Sequence, residues 1–367
     1  MKGNEICKKK YCTGCEACAN ACTHQAITMK EDWRGFRYPF VDTKKCTDCG
    51  LCQKICPIGL DISPFKYEIA YAFVEKNKKF LYRASSGGAF GVMARYAIDN
   101  GGIVFGASMD DQYHVEYKSA ESIEDLEYLY GSKYVQSHVG DAYIHVKDNL
   151  KKGRWVLFCG CPCQVAGLKS YLRRDYANLF TMDLICHGVP CQPYFRDYVT
   201  DLLKRKNNVS KFRFRWKPES AENMQDNVYV GYSQRDYYMN YFLWGKGCRP
   251  GCYHCRFAGG SRQGDFTIGD FCQNKKTRLP IDDTHGASLV FFNTEKAQSL
   301  KNIFETNGDC LPIHSLSDAV GGDGGQLKHP SVYDIRCDLI YILYKLFGIR
   351  GAKTLFWLDS LRFKVKK

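Results

Sequence analysis

Cys12-Thr-Gly-Cys15-Glu-Ala-Cys18-Ala-Asn-Ala-Cys22 and Cys46-Thr-Asp-Cys49-Gly-Leu-Cys52-Gln-Lys-Ile-Cys56-Pro57 write one cysteine phrase twice. Both runs have the spacing C-x2-C-x2-C-x3-C. Three thiolates from one tight loop hold three irons of a [4Fe-4S] cube, and the fourth cysteine of each run reaches the other cube. The expected ligand sets are therefore Cys12, Cys15, Cys18 and Cys56 for one cluster, and Cys46, Cys49, Cys52 and Cys22 for the other. A pair of zinc sites or a disulfide scaffold are the alternatives, and two identical registers of four cysteines favour clusters over both. Thr23 stands where proline usually follows such a run.

The rest of the chain is long enough to need a core of its own. Of 367 residues, 45% are hydrophobic and 14% aromatic, which points to two or three domains rather than a small module alone. Nine of the 20 cysteines lie in the first 56 residues, in metal-ligand patterns. That distribution is not a secreted disulfide framework, so the expected compartment is reducing and cytoplasmic. The start, MKGNEICKKK, lacks the apolar run of a signal peptide, and no stretch reaches the ~18 apolar residues of a membrane span. The net charge of +13 is spread thinly. Its local concentrations are Lys8 to Lys10, Lys204 to Lys206 and the tail Lys364, Lys366 and Lys367, and no nucleic-acid-binding motif accompanies them. Nucleic acid is therefore not an expected partner, and docking of anionic ligands is the better reading.

Between the cysteine runs, Ile27 to Val41 alternates as a short hairpin. Leu60 to Phe80 reads as a linker that becomes a helix. Arg83-Ala-Ser85-Ser86-Gly87-Gly88 then precedes a helical-period run, Ala89 to Ile98. A helix start with two glycines and two hydroxyls can receive a phosphate, although an ordinary capped helix explains it as well. Ile103 to Ser108 and His114 to Ser119 read as strands, and Ser122 to Leu129 as an acidic helix. Asp141 to Leu150 (helix), Trp155 to Phe158 (strand), Gln164 to Arg173 (helix) and Leu179 to Ile185 (strand) continue the alternation. The pattern implies a parallel α/β core. Ligands collect at the carboxyl ends of such strands, which predicts that Cys159-Gly-Cys161-Pro-Cys163 and Cys186-His187-Gly188 are neighbours.

Further on come a helix from Gln192 to Lys206, a basic aromatic strand from Lys211 to Lys217, and a dense aromatic stretch from Tyr237 to Trp244. Cys248-Arg-Pro-Gly-Cys252-Tyr-His-Cys255 has ligand spacing for an iron-sulfur cluster or for zinc, and a third relay cluster is the more coherent choice. A fourth ligand must come from elsewhere. Cys163 and Cys186 are the best-placed donors, followed by Cys161 and Cys272; His254 would suit zinc better. Cys7, Cys310 and Cys337 read as packed thiols, and Cys159 and Cys191 complete no spacing. Gly264-Asp-Phe-Thr-Ile-Gly-Asp270 either lets a ligand approach or is a strand with tight ends. Ala287 to Phe292 reads as a strand, with a helix to Phe304 and a turn at Gly321 to Gly325. In the tail, Leu339, Ile342, Leu343, Leu346 and Phe347 line one apolar face. Packing on the body or on a partner subunit is favoured for it over peripheral contact with a membrane.

The order of these pieces resembles one family, the beta subunit of coenzyme F420-reducing hydrogenase and formate dehydrogenase with its stand-alone bacterial relatives. The carriers are the twin cysteine run of a bacterial two-cluster ferredoxin, Ser85 to Gly88, Tyr134-Val-Gln136-Ser137, Cys161 to Leu168, Asp183 to Pro190, Cys248 to Cys255 and Gly264 to Asp270. The resemblance implies an α+β ferredoxin-like domain over 1–60 ahead of an α/β flavin-binding body. Its N-terminal part would span 61–150, its C-terminal part with the third cysteine cluster 151–330, and a basic amphipathic helical tail 331–367. It also implies FAD: Ser85, Ser86, Gly87 and Gly88 would cradle flavin phosphate, and Tyr134, Gln136 and Ser137 would line the flavin. No G-x-G-x-x-G follows any strand, so the usual dinucleotide fingerprint is not in use. Cys161 stands where relatives commonly carry threonine, which leaves the fourth ligand of the third cluster open between Cys163 and Cys186.

The implied activity is that of an iron-sulfur flavoprotein oxidoreductase. Single electrons from ferredoxin or another redox protein would enter the clusters, and FAD would pass a hydride equivalent to a small organic acceptor such as coenzyme F420. The alternatives are a non-catalytic electron-transfer subunit of a larger complex and a zinc-stabilised binding protein. No side chain is assigned a catalytic role.

Overall fold

The computed structural model describes residues 5–61, 69–205, 211–215, 217, 228–230, 236–259, 262–271, 280–314 and 327–365. Cys272, Lys206, Lys366, Lys367 and the turn at Gly321 to Gly325 lie outside them, as do residues 62–68 of the expected linker.

The two cysteine runs fold as a repeat. Positive φ falls at Gly14 and Glu16 in the first loop and at Asp48 and Gly50 in the second, the same two places relative to the cysteines. Each loop then enters a short helix, Ala17–Ala21 or Leu51–Lys54. Between them β1 (Ile27–Glu31) and β2 (Arg37–Val41) form the expected hairpin, with Ile27 opposite Val41. Asp32 closes its turn by accepting from the amides of Arg34 and Phe36 at 3.0 and 3.1 Å.

The body departs from the all-parallel expectation. Among the described residues an eight-stranded mixed sheet has the order β12-β3-β11-β10-β7-β6-β4-β5. Its strands are β3 (Ile69–Glu75), β4 (Ile103–Met109), β5 (Val115–Ala120), β6 (Val156–Gly160), β7 (Leu179–Leu184), β10 (Phe266–Phe271), β11 (Ala287–Phe292) and β12 (Gly308–Pro312). Two further strands, β8 (Lys211–Arg213) and β9 (Val228–Val230), pair apart from it. Only the central run β10-β7-β6-β4 is parallel; the remaining neighbours are antiparallel. The expected helix between Leu60 and Phe80 is instead β3 followed by the short helix Lys78–Arg83. Its apolar run, Ile-Ala-Tyr-Ala-Phe-Val, is buried at nearly every position because β3 lies between β11 and β12 with both faces covered. The acidic helix over Ser122 to Leu129 shrinks to Leu126–Leu129.

The cysteine module is seated on this body through a shared core. Cys15, Ala17 and Ile55 are buried with Tyr143, Val146, Val165 and Leu168 of the helices Ala142–Lys151 and Pro162–Leu172. Ser170 Oγ donates to the Ile55 carbonyl at 2.5 Å and Asn20 Nδ2 to that of Gly140 at 2.7 Å. A second, aromatic core gathers Tyr194, Phe195, Tyr198, Phe212, Phe214 and Tyr238, and the tail packs on it through Ile340, Tyr341, Ala352 and Leu355. The tail's apolar face is therefore divided: Leu339 and Leu343 pack on that core, while Leu346 and Phe347 are exposed. No helix among the described residues is long and apolar enough to cross a membrane.

Gly87 shows how tightly the helix start at Ala89 is held. Its carbonyl accepts from the Glu75 amide at 2.8 Å, and a Cβ there would stand 2.0 Å from the Phe73 carbonyl oxygen and 2.4 Å from the Ser288 amide nitrogen. Gly87→Ala should therefore cost ~1–3 kcal/mol or more in flavin-free protein, since strand backbone cannot give way as a side chain can. Urea unfolding checks this; an unchanged midpoint would contradict it.

Candidate functional site

Cys12, Cys15 and Cys18 are buried together, and Cys56 joins them from the second run. Cys7, which no spacing singled out, lies against Cys12 and Cys56. The Cys7 thiol lowers Cys12 to about 5, with the Arg249 guanidinium adding to the fall against the effect of burial. Burial, with Cys56 and Cys12 adding to it, pushes Cys15 up to about 12. Thiolate is the iron-binding form, so metal binding at this set releases protons. Cys22, Cys46, Cys49 and Cys52 surround a second cavity of about 80 Å³, roofed by Ile6, Ile27 and Val41. Both fourfold groupings are the crossed ones expected from the spacing.

A third cavity, of about 40 Å³, opens where the adjacent parallel strands β6 and β7 end. Cys161, Cys163, Cys186, Cys252 and Cys255 line it. Cys248 stands directly behind: a Cβ on Gly188, at φ +108°, would lie 2.7 Å from its Sγ. The expected adjacency of the two strand-end motifs is thus present, with Cys161 Sγ 3.8 Å from Cys186 Sγ. That contact lowers Cys186 to about 7 and raises Cys161. Cys159 points elsewhere, with burial pushing it up to about 12, and Cys191 is a packed thiol 3.0 Å from the Arg34 carbonyl.

Three buried polar atoms of residues lining this cavity have no hydrogen-bond partner among the described residues: Thr13 Oγ1, His187 Nδ1 and Arg262 Nε. Arg262 is otherwise held by the carbonyls of Leu184 and Phe257 and lies 4.0 Å from the buried carboxylate of Asp183. Orphaned donors and a buried guanidinium around a nest of thiols fit an anionic sulfur-rich group. No group of three or more His, Cys, Asp or Glu side chains among the described residues is gathered for one metal ion. A cube asks for something else, since each of its thiolates bonds a separate iron.

Arg249 joins the loop behind this cavity to the first set of thiols. It is fully buried, with Nε donating to the Cys12 carbonyl at 2.7 Å, one terminal nitrogen to Gln136 Oε1 at 3.0 Å and the other to the Arg37 carbonyl at 2.8 Å. Its guanidinium also stacks 4.2 Å from the Tyr38 ring centroid. Gly251, two residues on, packs so that a Cβ would meet the Cys12 carbonyl oxygen at 2.5 Å. On the other wall, a Cβ at Gly167 would stand 3.2 Å from Cys15 Sγ, and Cys163 counts Cys15 among the thiols around it. Neither Arg249 nor Arg262 carries a sequence signal, because each acquires its role only through tertiary partners.

The residues expected to hold FAD divide into two groups. Ser85, Ser86, Gly87 and Gly88 form a shelf at the start of the helix Ala89–Asp99. Ser85 Oγ accepts from the Ser132 amide, and Ser86 Oγ donates to the Ala287 carbonyl. Arg215 reaches the Ser85 carbonyl at 3.4 Å, pairs with both carboxylate oxygens of Asp270 and lies 5.8 Å from the Tyr134 ring centroid, so Tyr134 shares this shelf. Lys217 donates to the carbonyls of Leu81 and Ser86, and burial together with Arg215 lowers it to about 8. Gln136 and Ser137 face the other way. Gln136 Nε2 donates to the Thr13 carbonyl at 3.3 Å, and Ser137 Oγ accepts from Gln164 at 3.0 Å on the wall of the third cavity. The shelf suits a phosphate in charge, although Gly87 is already filled by strand backbone.

Residues 11–60 match the 4Fe-4S dicluster domain, and residues 153–312 match the C terminus of the coenzyme F420 hydrogenase/dehydrogenase beta subunit. Residues 153–312 thus carry the C-terminal domain of that beta subunit, behind a dicluster ferredoxin domain. The F420 hydrogenase/dehydrogenase match takes in all six thiols of the third cavity together with Arg249 and Arg262, whereas the shelf at Ser85 to Gly88 lies before it. A coenzyme F420-dependent sulfite reductase of Methanocaldococcus jannaschii is 24% identical over 329 residues, covering 83% of this chain and 47% of the relative. The chain thus spans about half the length of that curated relative. A chain from a xenon-derivatised F420-reducing [NiFe] hydrogenase complex of Methanosarcina barkeri aligns with a TM-score of 0.46 at 18% identity, covering 81% of this chain and 94% of that one.

Arg249→Met should leave the Cys12 and Arg37 carbonyls and Gln136 Oε1 without this donor, at a cost of about 3 kcal/mol or more. Arg249→Lys should recover less than half of that, because an ammonium lacks the planar fork. Chemical denaturation of the three proteins checks both expectations, and equal midpoints would contradict them.

Proposed function

We propose that the chain is an iron-sulfur flavoprotein oxidoreductase with three metal centres and an FAD. Cys12, Cys15, Cys18 and Cys56 would hold one cluster, and Cys22, Cys46, Cys49 and Cys52 the second. Cys248, Cys252 and Cys255 would hold the third, with Cys163 or Cys186 as its fourth ligand. Bound clusters supply one-electron chemistry, and a bound flavin joins it to hydride transfer. The observation that carries the reading is the junction at Arg249, where the loop of one thiol set is hydrogen-bonded directly to the loop of another.

The chain's own part in this scheme is to bind, to neutralise and to keep water out. Arg249 and Arg262 set buried positive charge beside buried thiols, which favours the thiolate forms that metals need. Lys217 and Arg215 offer positive charge at the shelf beside Ser85 to Gly88, with Tyr134 as an aromatic wall, and these support a flavin phosphate and ring there. The excess of basic residues supports a negatively charged redox protein such as ferredoxin as donor and an anionic organic acceptor such as coenzyme F420. The thiol-rich composition supports a reducing, cytoplasmic setting.

Anaerobically purified protein should release about one FAD per chain on acid treatment. Lys217→Glu should weaken FAD binding by roughly tenfold or more. Wild-type affinity should fall as pH rises through about 8, where Lys217 loses its proton and with it the attraction for phosphate. Flavin fluorescence titration reads all three. No flavin after reconstitution would overturn the flavoprotein reading, and reoxidation of the reduced protein only by a partner protein would turn it into an electron-transfer subunit.

A further inference from the structure

Six thiols meet at the third cavity, and a cube takes four. Three of them, Cys248, Cys252 and Cys255, come from one loop. Cys161 and Cys186 are in direct contact, with their sulfurs 3.8 Å apart. Thiolates on separate irons of a cube stand on the order of 6 Å apart, so this pair as it stands does not serve two corners of one cluster. The spacing lies instead within a side-chain rotation of a disulfide, whose sulfurs are about 2.05 Å apart. Cys163 is the remaining thiol, and it neighbours Cys255, Cys186 and Cys252 on one side and Cys15 of the first set on the other.

Both residues of the contacting pair are held through backbone. The Gly188 amide donates to Cys186 Sγ at 3.4 Å, and Cys161 caps the helix Pro162–Leu172, its carbonyl accepting from the Gln164 amide at 2.8 Å and its own amide donating to Gln164 Oε1 at 3.0 Å. Both residues are half-buried and line the cavity. We infer that Cys163 is the fourth ligand of the third centre and that Cys161 and Cys186 form a redox-active dithiol beside it, able to reduce a substrate disulfide.

One thiolate of the pair attacks a sulfur of the substrate disulfide, breaking its S–S bond, forming a mixed disulfide and expelling one substrate thiolate. The second attacks the mixed disulfide, closes the Cys161–Cys186 bond and expels the other. The two protons of the protein thiols pass to the two departing thiolates. Two electrons and two protons restore the dithiol, the electrons coming singly from a reduced one-electron carrier protein and the protons from solvent. The inference rests on the three-centre reading, and its chemistry adds disulfides to the acceptors of that reading.

The test uses full-length protein loaded with iron and sulfide and exposed without oxygen to bis(2-hydroxyethyl) disulfide, then alkylated and digested with trypsin. The expected products are a link between the peptides Trp155–Lys169 and Asp175–Arg196, a loss of two titratable thiols per chain, and unchanged iron. Cys161→Ser and Cys186→Ser should each abolish the link and keep about twelve irons per chain. Absence of the link in the wild type would overturn the proposal, and so would loss of about four irons in Cys186→Ser, which would make Cys186 a ligand. About eight irons in untreated wild type would overturn the three-centre reading instead, and the linked peptide alone would then decide on the dithiol.

Discussion

The buried guanidinium of Arg249 is the contact on which the arrangement of thiols depends. A fully desolvated arginine persists only where its donors are taken up, and here they are taken up by Cys12, Arg37 and Gln136, which belong to three different segments. Because Arg249 sits between Cys248 and Cys252, the same side chain that holds the first cysteine loop also fixes the third. The glycines around it follow from this closeness. Gly14 has no room for a Cβ beside Gln136 and Arg249, and Gly251 none beside the Cys12 carbonyl.

The sheet supplies the second constraint. Its parallel centre brings the ends of β6 and β7 side by side, and the residues just past them, Cys161 and Cys186, meet as a consequence. Behind that meeting point lies a buried polar network in which Asp183 accepts from the amides of Gln263 and Gly264 and from the Thr267 hydroxyl. Asp183 thus anchors the segment that carries Arg262 to the cavity wall. Two of the antiparallel strands outside this centre, β3 and β11, shape the shelf at Ser85 to Gly88 instead, since Gly87 packs on their backbones.

The legible parts of the chain were those whose meaning is local. Ligand spacing within twelve residues and a repeated pattern of left-handed backbone identify the two thiol loops without reference to anything else. The meeting of Cys161 with Cys186 was legible at one remove, through the alternation of strands and helices. Ile69 to Glu75 was misread because an unbroken apolar run lacks the period that separates a doubly covered strand from a buried helix. Arg249 and Arg262 stayed invisible, since nothing in their own neighbourhood in sequence says that a thiol loop or a carbonyl will arrive from more than 40 residues away. Gln136 and Ser137 share a motif with Tyr134 in the sequence, yet they turn to the cysteine side of the fold, where Thr13 and Gln164 wait for them.

The central claim is that three sets of thiols are metal centres, the first and third of them joined at Arg249. Iron, acid-labile sulfide and zinc counted per chain in protein purified without oxygen test it most directly. About twelve irons with matching sulfide and no zinc are predicted. About eight irons with one zinc would contradict the account, making the third cavity a structural knot and leaving Arg249 to join a redox module to an inert one.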